Sequence, residues 1–149
     1  MQAPINSGKI FAGKDRDRLS LFEVLPHVYM NQVFLNSKGW VEVFWGKRVD
    51  AKGYVSAATE MIRLLVLLGD EGKPLRLLID FSALEETTAE AAQFASLATR
   101  DLGCDKIAGF AIKPKFKIIL DTIKERSTKA DTIREFQTRQ EAERWLEEA

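Results

Sequence analysis

The chain has 149 residues, 46% of them hydrophobic and 30% charged, the size and composition of one globular domain with a single substantial core. Four prolines, nine glycines and a lone cysteine, Cys104, exclude a disordered, collagen-like or disulfide-stapled chain. Lys plus Arg equals Asp plus Glu at 22 each, so the long-range attraction that drives non-specific binding to nucleic acid or acidic membranes is absent.

Residues 1–20 are polar, contain Gly8 and Gly13, and carry mixed charges in Lys14-Asp15-Arg16-Asp17-Arg18 with no apolar repeat. They read as an N-terminal arm, and residues 21–149 as one domain. The arm lacks the apolar stretch of a secretory signal, and no apolar run reaches the roughly 18–20 residues of a membrane span. A reducing, cytoplasmic setting is expected.

From Leu21 the texture becomes β-like: LFEVL, VYMNQVFL and, after Asn36-Ser37-Lys38-Gly39, WVEVFW. The last two suit an antiparallel hairpin. In the third run Val41, Val43 and Trp45 share one face and Glu42 and Phe44 the other, so the second face is not wholly polar. Asp50 is placed to cap a helix running to about residue 68. Its expected core stripe is Tyr54, Val55, Ala58, Met61, Ile62, Leu65 and Leu68, leaving Leu64, Val66 and Leu67 outside. That apolar surplus, with Phe44, calls for a cover: a sheet and neighbouring helix, a second subunit, or an apolar ligand.

LRLLIDF (75–81) is a nearly continuous apolar run, expected as a strand covered on both faces in mid-sheet. Thr87 and Glu90 have capping-box spacing, opening a helix over 88–102 with Ala91, Ala95, Ala98 and Leu102 on one face and Gly103 beyond its end. KIAGFAI (106–112) repeats the buried-strand pattern. Pro114 fits the first turn of a helix over 114–126 with Phe116, Ile119, Leu120 and Ile123 inward. TIREF (132–136) is a strand, and Thr138 and Glu141 form a second capping box before a helix over 139–147 with Ala142, Trp145 and Leu146 inward. The alternation predicts an α/β fold: a mixed, largely parallel sheet of about five strands with about four helices.

Catalytic and metal chemistry are not legible. His27 is the only histidine, so a histidine-rich metal site is excluded and a Ser-His or Cys-His site would have to use this residue of an expected surface turn. Cys104 has no CxxC partner, and no phosphate-binding glycine loop is present. No metal or cofactor is expected. The basic run Lys113, Lys115, Lys117, Lys124, Arg126 and Lys129 reads as a solvated face rather than a nucleic-acid surface. The segment after the central strand is more informative. Asp80 would emerge at the carboxyl edge of the sheet, where open α/β sheets hold ligands, followed by Ser82, Glu85, Glu86, Thr87 and Thr88 beside a helix start. Capping and turn formation explain these residues, as does a phosphorylation or partner-docking loop.

In this order, Trp45-Gly46-Lys47, Arg76-Leu77-Leu78-Ile79-Asp80-Phe81-Ser82 with Thr87-Thr88, Lys106-Ile107-Ala108-Gly109-Phe110, Ile133-Arg134-Glu135-Phe136 and Glu141-Ala142-Glu143-Arg144-Trp145-Leu146 resemble the SpoIIAA-like, or STAS/SEC14-type, family of small bacterial domains over about residues 28–149. The resemblance implies the STAS/SpoIIAA-like fold and a non-enzymatic regulatory module. It binds a protein partner, as anti-sigma-factor antagonists do, or an apolar lipid or acyl ligand, as Sec14-type domains do. In the antagonists an Asp-Ser-Ser-Gly type loop is phosphorylated on serine by a partner kinase. This chain has Glu85-Glu86-Thr87-Thr88-Ala89-Glu90 and no glycine there, which leaves Ser82, Thr87 and Thr88 as phosphoacceptors and Asp80 beside them. Phe44, Leu64, Val66 and Leu67 are the residues expected at a homodimer contact or apolar ligand site.

Overall fold

In the computed structural model, which describes residues 30–99, 102–126 and 130–148, strand β1 (Gln32–Leu35) pairs antiparallel with β2 (Val41–Phe44) in the register Leu35↔Val41. The turn between them is set by Asn36, whose carbonyl accepts from the Gly39 amide at 3.0 Å and whose side-chain oxygen accepts from the Lys38 amide at 2.6 Å. Gly39 has φ +99°, a conformation a side chain disfavours, which explains glycine at the turn's end. The arm, the LFEVL run, His27 and Lys129 lie outside the described residues.

A two-residue strand, β3 (Arg48–Val49), leads into α1 (Ala51–Asp70). The Asp50 carboxylate accepts from the Gly53 amide at 2.7 Å, satisfying a donor the helix start would otherwise leave unpaired. Strand β4 (Arg76–Asp80) follows, then β5 (Glu86–Thr87), α2 (Ala89–Thr99), β6 (Lys106–Phe110), α3 (Pro114–Arg126), β7 (Ile133–Phe136) and α4 (Arg139–Glu147). The main sheet has the order β1-β2-β4-β6-β7, with every pairing after the first parallel. The expected parallel pairing of the two most apolar runs is present, Leu77 opposite Ile107 and Leu78 opposite Ala108. A second, two-stranded parallel sheet of β3 and β5 was not foreseen. Two residues per strand are too few for a readable alternation.

Period-2 alternation divides the core. Val41, Val43, Leu77, Ile107 and Ile133 point to one face, where they meet α1, α2 and α3. Trp40, Leu78, Ala108 and Phe110 point to the other and meet α4 alone through Ala142, Trp145 and Leu146. The α4 start has the expected capping box, with the Thr138 hydroxyl accepting from the Glu141 amide and the Glu141 side chain reaching back. Its far end is closed by Lys106, whose ammonium donates to the Trp145 and Glu148 carbonyls at 2.7 Å each.

Three expectations need correction. The buried stripe of α1 is Tyr54, Ala57, Ala58, Met61, Leu64, Leu65 and Leu68, rotated from the one the apolar pattern suggested. Val55 and Ile62 are exposed and Leu64 lies in the core, because the helix leans over β1 and β2 and turns its Ala57-Leu64 side inward. The cap of α2 is one residue later than Thr87-Glu90 predicts. The Thr88 hydroxyl accepts from the Ala91 amide at 3.1 Å, while Thr87 is held in β5. Glu42, on the face of β2 that it shares with Phe44 and that the alternation reads as partly polar, is only 5% exposed.

Candidate functional site

Strand β4 leaves the sheet at Asp80. Its Oδ1 accepts from the Ser82 amide at 2.8 Å, a side-chain mimic of a backbone turn that reverses the chain at once. Phe81 stays tied to the sheet through its amide to the Phe110 carbonyl at 3.1 Å, and Leu84 drops back into the core at 5% exposure. The Glu85 and Glu86 amides then both donate to the Lys47 carbonyl, at 2.8 and 3.0 Å, and β5 pairs with β3. Lys113, entering α3, donates to the Leu84 carbonyl at 2.7 Å. The segment 80–88 is thereby stitched along its length to two neighbouring segments.

The hydroxyls of this segment differ in what they do. Thr87 donates to the Val49 carbonyl at 3.1 Å and Thr88 caps α2, so both are half-buried and engaged. Ser82 is exposed, and its hydroxyl has no hydrogen-bond partner among the described residues. Glu85 and Glu86 are exposed and lie 4.0 Å from Lys47 and 3.7 Å from Arg48, loose surface pairs that leave the acidic character of the loop largely intact. The Asp80 side chain is 13% exposed, and its Oδ2 lies 3.9 Å from Arg139 on the α4 face of the sheet. Asp80 therefore shapes the loop from beneath rather than standing among its hydroxyls. No nucleophile, base and orienting group meet here, and among the described residues no group of three His, Cys, Asp or Glu could hold a metal ion. Cys104 is buried, its thiol pushed up to about 12 by desolvation and then by Asp105, so it is inert.

The other expected residues are dispersed. Phe44 is half-buried on the sheet face beyond α4, Leu64 is core, and Val66 and Leu67 are 54% and 47% exposed on α1. None of them lines the apolar cavity, which lies between the sheet and helices α1–α3 among Tyr54, Leu84, Ala95, Phe116 and Ile119. Its volume of about 110 Å³ is below that of an apolar cavity known to hold a benzene, about 150 Å³, and well below the roughly 300 Å³ at which ligand pockets begin.

A polar cluster escaped sequence reasoning. The Glu42 carboxylate accepts from Asn36 Nδ2 at 2.9 Å, from Arg139 Nη1 at 3.2 Å and from Arg139 Nη2. Arg139 also donates to Glu143 at 3.1 Å and lies over the Phe110 ring, 5.1 Å from its centroid, and Lys38 donates to Glu143 at 2.8 Å. The only sequence signal was a lone acid in a strand of buried residues. Glu143 is held below the ordinary carboxylate range by the hydrogen bond from Lys38 and, against the opposing effect of partial burial, by that from Arg139. A carboxyl depressed on folding contributes stability that is complete above its unfolded-state pKa, about 4.3, and lost as pH falls through the folded value. Thermal unfolding followed between about pH 3 and pH 7 should lose stability at the acid end, and Glu143→Gln should flatten that fall. An equally steep fall in the variant would remove Glu143 from the account.

The architecture defines the class: a mixed sheet in this order, three crossover helices on one face and one helix on the other constitute a SpoIIAA-like, STAS-type fold. Solved structures share it. An uncharacterised protein of the DUF3478 family with a SpoIIAA-like fold from Shewanella loihica PV-4 superposes with a TM-score of 0.51 at 13% identity, over 78% of this chain and 91% of its own. An anti-sigma-factor antagonist (STAS) domain protein from Planctomyces limnophilus does so with the same score and identity, over 75% and 92%. No protein-family model and no curated protein matches the sequence. No described helix is long and apolar enough to cross a membrane.

Proposed function

We propose that the chain is a non-catalytic regulatory domain that binds a protein partner through the 80–88 loop, with Ser82 as its modifiable hydroxyl. The observation that carries this reading is the contrast within the loop. Its backbone is tied down on both sides, while Ser82, Glu85 and Glu86 are exposed, the serine hydroxyl without a partner among the described residues and the two acids in loose surface pairs only. A preordered acidic surface binds without a large ordering cost, and a phosphate on Ser82 would add charge where a partner can read it. The likeness to an anti-sigma-factor antagonist domain protein supports the class of function. Thr87 and Thr88 are poor phosphoacceptors, since modification would remove a bond to β3 or the cap of α2.

The test is affinity capture with chemical cross-linking in the source cell, comparing the wild type with Glu85→Lys/Glu86→Lys and with Ser82→Ala. The charge reversal should cut recovery of a specific partner by about tenfold, the effect of losing two interfacial charges. Identical partner sets for all three proteins would reject the loop as the contact, and phosphate found on Thr87 or Thr88 but not on Ser82 would reject the serine. An apolar ligand is the weaker reading. The cavity favours it by its lining, but its volume is below that of a cavity known to hold a benzene and far too small for an acyl chain.

A further inference from the structure

Helix α1 presents a second apolar face to solvent. Val55, Ile62 and Val66 are 49%, 49% and 54% exposed, and with Thr59 they recur at spacings of four, three and four residues, the seam spacing of paired helices. Thr59 fits this seam because its hydroxyl donates back to the Val55 carbonyl at 2.8 Å, which leaves its methyl as the outward group. The nearest large charge, Arg63, is already neutralised by a two-point bond to Glu60 at 2.8 and 2.7 Å.

The charges at the helix ends indicate what covers this face. Lys52 lies in the first turn, where the helix dipole is positive, and Asp70 ends the last turn, where it is negative; neither belongs there electrostatically. Neither makes an ion pair among the described residues. Both lie on the same flank of the apolar seam. In an antiparallel pair of α1 helices related by a two-fold axis near Met61, Val55 meets Val66 of the partner subunit and Thr59 meets Ile62 of the partner subunit. The same axis brings Lys52 beside Asp70 of the partner subunit and against the negative end of the partner's helix. One operation thus covers the apolar stripe, pairs two unpaired charges and opposes two dipoles. We infer that the protein forms a two-fold symmetric homodimer through the outward face of α1, a surface separate from the 80–88 loop. A helix of 20 residues offers a seam only about 30 Å long. The interface is therefore at the small end of specific ones, and dissociation in the range of tens of micromolar is expected.

Sedimentation velocity on the full chain from about 1 µM to about 1 mM should show a monomer giving way to a dimer, with Ile62→Glu monomeric throughout. Lys52→Asp and Asp70→Lys should each weaken dimerisation by about tenfold, since two ion pairs become two like-charge contacts. The double variant Lys52→Asp/Asp70→Lys should restore it, as should mixing the two single variants. Each single change also gives the helix end its favoured charge, so at about 1 µM, where every form is monomeric, the single variants should unfold at temperatures no lower than the wild type. Weakened association with unimpaired folding is a combination that structural damage cannot produce. A monomer at every concentration would overturn the inference, as would single variants that dimerise like the wild type, the result a parallel or unrelated contact gives.

Discussion

Leu146→Ala should destabilise the protein by about 3 kcal/mol, the middle of the range for truncating a fully buried leucine. The effect is large because α4 is nine residues long and alone covers its face of the sheet. A helix that short has little stability of its own and depends on its buried contacts. Leu146, Leu78 and Ala108 are all 0% exposed, so the walls of the new cavity belong to central strands that cannot move inward to fill it. For a domain of this size the loss corresponds to a fall in melting temperature of roughly 6–12 °C, readable by calorimetry. Hydrogen exchange should show α4 opening well before β4 and β6. A uniform loss of protection across the chain, or a change below about 1 kcal/mol, would show that the α4 contact does not hold the face together.

Arg139→Met is expected to cost about 2–3 kcal/mol, for a different reason. The substitution keeps an apolar stem over Phe110 but withdraws two of the three donors that serve the Glu42 carboxylate, leaving Asn36 alone. The Glu42 side chain is 6% exposed, so a carboxylate there that has lost its cation stays dehydrated with one neutral donor in place of water. The Arg139 side chain is 42% exposed, and water entering beside the shorter residue keeps the cost below that of breaking a fully enclosed pair. Adding Glu42→Met should return most of the loss, because an apolar pair needs no partner in that position. Urea unfolding of the two single variants and the double variant closes the cycle. A double variant as unstable as Arg139→Met would mean that packing, not charge, sets the cost.

Much of the fold was legible because its signals are local. Helices α3 and α4 begin where Pro114 and the Thr138-Glu141 capping box place them. Glu42 and Arg139 were not legible as a pair, since they are 97 residues apart and meet only when α4 crosses the sheet. The candidate loop was found from the position of Asp80 at the strand end, but not the division of labour within it. Thr87 and Thr88 look like equal neighbours in sequence. One bonds β3 and the other caps α2, and only the parallel pairing of β3 with β5 assigns those tasks.

Periodicity and capping residues, read along the chain, determined the fold class, the helices and the two strands buried on both faces, because hydrogen bonding over three or four residues and alternation over two depend on near neighbours. The tertiary structure decided which side of α1 turns inward. Three apolar positions outside a stripe of seven permit more than one rotation, and the lean of the helix over β1 and β2 selects Leu64 for the core and leaves Val55, Ile62 and Val66 in water. It decided likewise which hydroxyl of the 80–88 loop is free, because a hydroxyl is occupied or available according to which carbonyl or amide the fold brings within about 3 Å.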